Sequence, residues 1–235
     1  MTVNFLNNSK LLSFSFLLVF GFITLSVCYA LPNNLLPNKN VPNHLMTEHI
    51  ELPNLFSDFE RQIAAKMALD IRYFCSENSV AQTGQCLQAV TKLPSMLAEM
   101  ITKTGIGSVV LFAENLESTK QVIQLTRDLQ EAAVHSKSGQ PLIISIDQEG
   151  GRVVRLPQAT SFAGNMAIGA TYLESGAKFA TETSTVIAKE LKLLGINNNY
   201  APVVDVNTNP DNPVINTRSF GENPQRVAEL GVAAV

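Results

Sequence analysis

The strongest constraint on the fold is a short apolar run that ends in a dense polar cluster. Residues 142–146 are nearly all apolar, and Asp147, Glu149, two glycines and two arginines follow within nine positions. A continuous apolar run is typical of a parallel strand that is covered on both faces. In parallel α/β folds, functional side chains lie where the carboxyl ends of the strands meet the loops. The sequence therefore predicts that Asp147 stands at the ligand-binding edge of a parallel sheet.

The residues that follow Asp147 suit the binding of a sugar or an anion. The glycines at 150–151 allow the backbone to turn tightly or to pass close to a ligand. Arg152 and Arg155 supply fixed positive charge and several N–H donors. In a purely structural alternative, Asp147 and Glu149 pair with these two arginines around a tight turn. Residue types alone leave both interpretations open.

The N-terminal residues 1–30 are typical of a secretory signal peptide. The single charge of Lys10 precedes the apolar run 11–27, and we expect cleavage after Ala30. The run is slightly shorter than the roughly 20 residues that a spanning helix needs, so an uncleaved anchor is less well supported. Lipidation of Cys28 is a further alternative, although the residue before it is bulky. We expect an exported protein, periplasmic or secreted, with no stable membrane span after cleavage.

Composition after cleavage is that of a globular, mildly acidic domain. Removal of residues 1–30 leaves 205 residues with a formal net charge of −4. The sequence has no basic stripe, so we expect no nucleic-acid partner. Residues 31–54 are rich in proline and asparagine and predict a linker or an arm that wraps around the domain, because proline interrupts regular helices. A single domain over 55–235 is long enough to bury a substantial core.

Two cysteines remain after cleavage, Cys75 and Cys86, on either side of a short polar segment. In an oxidising compartment such a pair predicts a disulfide, and two free thiols are the alternative. The histidines at 44, 49 and 135 have no ligand spacing with the cysteines or with each other. The sequence therefore predicts no metal site.

Hydrophobic periodicity predicts alternating strands and helices after residue 55. Helices are expected over 56–67, 93–103, 118–136 and 175–194 and from Pro224 onward, and strands over 67–74, 107–112, 141–147 and 199–206. A long loop is expected from the third strand to Tyr172. Ser118 is a suitable N-cap and Gly195 a suitable C-cap. Such alternation implies parallel strands with right-handed crossovers, in a doubly wound sheet or a barrel.

Polar residues follow three of these predicted strands, which favours the barrel. They are Ala113-Glu114-Asn115, Asp147-Gln148-Glu149 and Asp205-Val206-Asn207. Several strands that present such groups at one end are typical of a (β/α)8 (TIM) barrel with its site above the carboxyl ends. About four strand–helix units precede Val235, so we expect the α/β chain to hold about the first half of such a barrel.

Four segments, in matching order and spacing, carry a resemblance to a known family. They are Ile146-Asp147-Gln148-Glu149-Gly150-Gly151-Arg152-Val153-Val154-Arg155, Gly195-Ile196, Ala201-Pro202-Val203-Val204-Asp205 and Arg218-Ser219-Phe220-Gly221. Together they closely resemble the N-terminal catalytic domain of glycoside hydrolase family 3, in its β-N-acetylhexosaminidase-like branch. Taken alone, Asp205 and Arg218 fit a structural role as well as a functional one.

The resemblance implies sugar-binding roles for three residues. Asp147 would accept hydrogen bonds from hydroxyls of the terminal sugar, and Arg155 and Arg218 would clamp that sugar from either side. A carboxylate accepts hydrogen bonds from paired hydroxyls, and arginine donates them in a fixed geometry, so the residue types agree with these roles.

The resemblance also implies supporting roles for residues around the same site. Glu149 is expected to shape the turn or to hold Arg152, and Asp205 to brace the floor of the site. Glu149 is not expected to be the general acid, because the family does not use that position in this way.

The implied activity is hydrolysis of terminal β-linked N-acetylglucosamine by a retaining mechanism, without a cofactor. The acid/base histidine and the aspartate nucleophile of the family lie in later segments, and no histidine follows His135. We therefore expect the catalytic residues downstream of Val235, and a truncated, inactive chain. The expected substrate is an N-acetylglucosamine-containing glycan or muropeptide. The alternatives are a non-catalytic sugar-binding protein and another family 3 exo-glycosidase, such as a β-glucosidase.

Overall fold

A computed structural model of the chain describes residues 11–17, 24–30, 57–75 and 86–235. The predicted linker over 31–54 lies outside the described residues. The strands are β1 (Leu11–Leu17), β2 (Thr24–Ala30), β3 (Ala68–Asp70), β4 (Ser108–Val110), β5 (Ile143–Ile146) and β6 (Asn198–Asn199). The helices are α1 (Asp58–Ala64), α2 (Ser95–Thr104), α3 (Thr119–Val134), α4 (Asn165–Ala170), α5 (Tyr172–Ser175), α6 (Lys178–Leu193) and α7 (Pro224–Ala234), with 3₁₀ turns at Ala113–Asn115 and Asn216–Arg218.

The strands form one sheet in the order β2-β1-β3-β4-β5-β6. Strands β3 to β6 are parallel and stand in the sheet in the order in which they occur in the chain. A doubly wound sheet reverses its strand order at a switch point, and this sheet has no reversal among its parallel strands. The order is that of consecutive strands in a (β/α)8 barrel, which decides between the two folds that the sequence left open.

Strands β1 and β2 form an antiparallel pair at the edge of the sheet opposite β6. Strand β1 pairs with β3 through Phe16 opposite Leu69 and Leu17 opposite Ala68. Both strands lie in the segment that the sequence predicts to be a signal peptide. Their pairing does not test that prediction, which concerns processing of the chain. Cleavage after Ala30 would remove both strands and leave β3 at the edge of the sheet.

The main core lies between the parallel strands and the helices that connect them. Ile144 and Ile146 of β5, Leu97 and Ile101 of α2 and Leu129 of α3 are fully buried in this one cluster. Ile143, which has the opposite orientation along β5, is half exposed. Alternate residues of a strand point to opposite faces. The helices therefore cover one face of β5, and the side chain of Asp147 follows Ile143 and Ser145 on the other face.

Local capping explains two predicted helix boundaries. The side chain of Ser118 accepts a hydrogen bond from the backbone of Gln121, which caps α3 as predicted. Gly195 has a φ of +77°, a conformation that favours glycine, and follows Leu194, the residue that caps the end of α6. Both assignments of helix ends from the sequence are confirmed.

Three predicted segments differ from the structure. The strand expected over 67–74 ends at Asp70. The long loop expected before Tyr172 contains helix α4. The strand expected over 199–206 is wrong beyond its start, because β6 pairs with β5 only at Asn198 and Asn199. Pro202 lacks a backbone N–H and cannot donate to a strand ladder, which explains why the apolar run that follows Tyr200 does not extend β6.

We expect the Leu129→Ala substitution to lower the free energy of unfolding by about 3 kcal/mol, because it removes a fully buried side chain and leaves a cavity. Leu193→Ala, at a side chain that is 78% exposed, is the matched control and should change it by less than about 0.5 kcal/mol. Chemical denaturation monitored by circular dichroism measures both. Equal losses in the two variants would contradict the location of the core.

Candidate functional site

The site begins where β5 ends. Asp147 directly follows this strand, and its Oδ2 atom accepts a hydrogen bond from Nη2 of Arg155 at 3.1 Å. The two side chains are 24% and 31% exposed, so the pair is open to a ligand. The structure therefore brings together two of the three predicted sugar-binding residues.

Gln148 holds the loop that presents Arg155. Its Oε1 atom accepts hydrogen bonds from the backbone N–H groups of Arg155 at 2.7 Å and Leu156 at 3.2 Å. The backbone of Gln148 is itself paired with the side-chain amide of Asn199, at 3.0 and 2.9 Å. Gln148 is buried, so these bonds are shielded from water. The position of Arg155 is thus fixed relative to both β5 and β6.

The glycines of this loop are required by close packing. Gly150 has a φ of +89°, a backbone conformation that side chains strongly disfavour. A Cβ atom on Gly151 would lie 2.7 Å from the Cα atom of Gly164, closer than carbon atoms pack. The loop after β5 therefore lies directly against the loop before α4.

Glu149 pairs with Arg218 and not with Arg152. Its Oε1 atom accepts hydrogen bonds from Nη2 and Nε of Arg218 at 2.6 and 3.1 Å, and its Oε2 atom lies 3.0 Å from Nε. Of the two roles expected for Glu149, holding Arg152 is therefore wrong, whereas shaping the turn agrees with the hydrogen bond that its backbone N–H donates to the backbone oxygen of Val153 at 2.9 Å. Arg152 instead donates from Nη1 to the backbone oxygen of Pro213 at 2.9 Å. Pro213 and Arg218 both lie in the segment after residue 207. The path of that segment therefore determines which groups Arg152 and Glu149 contact.

The Glu149–Arg218 pair is unequally buried. The side chain of Glu149 is 3% exposed and that of Arg218 is 21% exposed. Burial raises the pKa of Glu149, and the nearby charge of Asp147 adds to this, while the hydrogen bond from Arg218 lowers it by less. The same hydrogen bond raises the pKa of Arg218. The two directions are compatible, because desolvation acts mainly on the more deeply buried Glu149.

Asp205 contributes through its backbone. Its backbone oxygen accepts a hydrogen bond from the hydroxyl of Ser219 at 2.6 Å, which ties residue 205 to the segment after Arg218. The residue is exposed, and its charge adds to the raised pKa of Arg218. The role predicted for its carboxylate, as a brace of the site floor, stays a prediction.

Sequence reasoning missed an arginine and an aromatic ring at the same edge. Three neighbouring strands are in register at Asp70, Val110 and Ser145. Two residues further along each strand direction lie Arg72, Phe112 and Asp147, at the same edge of the sheet. The guanidinium of Arg72 lies 4.1 Å from the centroid of the Phe112 ring and is paired with Asp70. Part of the signal was available, because Phe112 ends the predicted strand 107–112 as Asp147 ends the predicted strand 141–147, whereas Arg72 lay inside the strand predicted over 67–74.

Cys75 and Cys86 are joined by a disulfide, with their Cα atoms 5.6 Å apart. Just outside the disulfide, Tyr73 and Ala89 form a β-bridge. The chain before Cys75 and the chain after Cys86 are therefore held together close to Arg72. This is the pairing that the sequence predicts. The disulfide therefore anchors the chain directly after the first of the parallel strands.

The part of the chain that the structure describes, residues 11–17, 24–30, 57–75 and 86–235, holds neither a metal-ligand cluster nor a membrane-spanning helix. Within these ranges, His, Cys, Asp and Glu side chains form no group of three or more that is suited to a metal ion. Among the described helices, none combines the length and the apolar character needed to cross a membrane.

Residues 57–235 match the model of the glycosyl hydrolase family 3 N-terminal domain. Beta-hexosaminidase A of Pseudoalteromonas piscicida is 55% identical over 177 residues, which cover 74% of this chain and 29% of that protein. The beta-N-acetylglucosaminidase/beta-glucosidase of Cellulomonas fimi is 33% identical over 153 residues, which cover 64% of this chain and 25% of that protein. The chain thus spans less than a third of these two relatives.

Solved structures show the same likeness. A glycoside hydrolase family 3 beta-N-acetylglucosaminidase from Paenibacillus sp. str. FPU-7 superposes with a TM-score of 0.58 and 43% identity, over 62% of this chain and 27% of that one. NagZ from Neisseria gonorrhoeae superposes with a TM-score of 0.56 and 29% identity, over 62% and 42%. The predicted α/β fold of the barrel type is confirmed.

The raised pKa of Glu149 predicts a pH dependence of stability. Between the usual pKa and the raised one, the folded protein binds a proton more readily than the unfolded chain does. Protonation of Glu149 therefore stabilises the folded protein at low pH, and this stabilisation is lost as the pH rises through the raised pKa. The difference in free energy of unfolding, wild type minus E149Q, should therefore fall across this window.

Urea denaturation between about pH 4 and pH 8 measures this difference. E182Q is the control, since Glu182 is more than half exposed and pairs only loosely with Lys178 at 3.9 Å. A difference that rises with pH would contradict the assignment of burial as the dominant effect on Glu149.

Proposed function

The chain belongs to glycosyl hydrolase family 3, and on that basis we propose that the protein removes terminal β-linked N-acetylglucosamine from glycans. The names of its relatives support this, since the most similar of those described above is a beta-hexosaminidase at 55% identity. The substrate class is an N-acetylglucosamine-containing glycan or muropeptide, and the role of this chain is to bind the terminal sugar.

The open pair of Asp147 and Arg155 at the carboxyl end of β5 carries the proposal. In the proposed complex, the Asp147 carboxylate accepts hydrogen bonds from sugar hydroxyls, and Arg155 donates to the same sugar from one side. Arg218 donates from the other side. Charge-assisted hydrogen bonds of this kind are stronger than neutral ones, and rigid arginine donors fix the orientation of the sugar.

The proposed reaction retains the configuration at the anomeric carbon. A carboxylate nucleophile forms a glycosyl-enzyme intermediate while an acid/base protonates the leaving oxygen, and water then releases the sugar. We assign both reacting groups to parts of the protein outside this chain, which spans 29% of the beta-hexosaminidase A relative. Glycosyl transfer to water by these two groups requires no cofactor.

We also propose that the protein is exported, periplasmic or secreted. The signal-peptide pattern of residues 1–30 supports this, and so does the disulfide between Cys75 and Cys86. Structural disulfides form and persist in oxidising compartments and are rare in the cytosol.

Comparison of two chromogenic substrates tests the proposed activity. We expect the complete protein to hydrolyse nitrophenyl N-acetylglucosaminide with a kcat/KM at least about tenfold above that for nitrophenyl glucoside. A β-glucosidase is the second candidate, because the Cellulomonas fimi relative carries both activities in its name. Equal or faster turnover of the glucoside would favour that candidate. Binding of N-acetylglucosamine without turnover of either substrate would indicate a sugar-binding protein.

Substitution of the proposed acceptor tests the binding site. We expect Asp147→Ala in the complete protein to lower kcat/KM for the N-acetylglucosaminide by about 10- to 100-fold, because hydrogen bonds to a charged group are lost. Asp211→Ala, in the exposed asparagine- and proline-rich loop, is the control and should leave kcat/KM unchanged. Melting temperatures verify that both variants fold. An unaffected Asp147→Ala enzyme would refute the assigned role of Asp147.

A further inference from the structure

We propose that Glu149 is a positioning residue, which holds the Arg218 guanidinium in the orientation from which its remaining N–H groups reach the bound sugar. The inference rests on the proposed function, because it assumes that Arg218 contacts the sugar. In the proposed complex Glu149, whose side chain is 3% exposed, acts on the sugar only through Arg218.

The geometry of the pair favours a positioning role. Glu149 follows β5 and Arg218 ends the 3₁₀ turn Asn216–Arg218, 69 residues later, so the contact joins two separate loops. Both carboxylate oxygens are within 3.1 Å of Arg218, in a forked arrangement that fixes the plane of the guanidinium. Asn165 adds a second link, since its side-chain amide donates to the backbone oxygen of Arg218 at 2.9 Å.

The pair with Glu149 leaves N–H groups of Arg218 available for a ligand. An arginine side chain has five N–H groups. Glu149 receives one from Nε and one from Nη2, and the backbone oxygen of Val214 receives one from Nη1 at 3.2 Å. One N–H on each terminal nitrogen remains for a ligand. The Arg218 side chain is 21% exposed, so part of it is open to solvent.

A competing partner explains why the carboxylate of Glu149 is needed. The charges of Asp147 and Asp205 also raise the pKa of Arg218, so two further acids are within electrostatic reach of this guanidinium, and Asp147 is the one that the proposed sugar complex uses. Glu149 is almost fully buried and its charge is costly to desolvate, which makes the pair a poor device for stability alone. In the absence of Glu149, Arg218 would be free to turn toward Asp147 and to occupy the acceptor that the sugar requires.

A double-mutant cycle in the complete protein tests this role. We expect E149Q to raise the KM for nitrophenyl N-acetylglucosaminide about tenfold with a smaller change in kcat, because ground-state and transition-state binding are weakened alike. R218Q should raise KM at least as much. The E149Q/R218Q double variant should be no worse than R218Q, since Glu149 acts through Arg218. E149D, which keeps the charge, should recover part of the loss.

Three comparisons separate the outcomes. The exposed control E182Q should retain the wild-type KM. An unchanged KM in E149Q beside a raised KM in R218Q would overturn the positioning role, and so would losses that multiply in the double variant. Absence of hydrolysis and of N-acetylglucosamine binding in the wild type would instead overturn the proposed function. Melting temperatures check folding, and if E149Q does not fold, the same cycle with E149D decides.

Discussion

The pairing of β5 with strands on both sides positions the whole candidate site. Strand β5 is hydrogen-bonded to β4 and to β6, and its Ile144 and Ile146 side chains are buried against the helices. The carboxyl end of β5 therefore has little freedom to move. Asp147 and Glu149 extend directly from this fixed end, and the loop that follows returns Arg155 to Asp147. The packing of apolar side chains on one face thus determines where charged groups lie on the other.

Two acid–arginine pairs share this edge and differ in burial. The Asp147–Arg155 pair is about a quarter to a third exposed, and water or a ligand can replace its single hydrogen bond. The carboxylate of the Glu149–Arg218 pair is 3% exposed, and that pair joins two loops that are distant in sequence. Exposed pairs contribute little to stability, whereas removal of one partner from a buried pair is costly. The first pair is suited to exchange partners with a sugar, and the second is suited to keep its geometry.

The sequence predicted features that depend on local pattern and missed features that depend on the path of the loops. Asp147 was placed correctly because an apolar run followed by a carboxylate marks the end of a buried strand. Glu149 was expected to shape the turn or to hold the nearby Arg152, because the sequence does not show which distant segment this turn meets. Its actual partner, Arg218, is brought close by a fold over 69 residues. Strand β6 was overestimated because the apolar residues after Tyr200 resemble a strand, while Pro202 prevents the ladder from continuing.

The contact between Gly151 and Gly164 limits which residues can be substituted in the loop after β5 and in the loop before α4. Any side chain at residue 151 would push away the loop before α4, and with it Asn165, which holds the backbone of Arg218. A library intended to alter sugar preference should therefore keep both glycines. Val154 is a better position to vary, since it lies in the same loop and is 38% exposed. Substitutions in these two loops can be accommodated only at positions where the two backbones are not in contact.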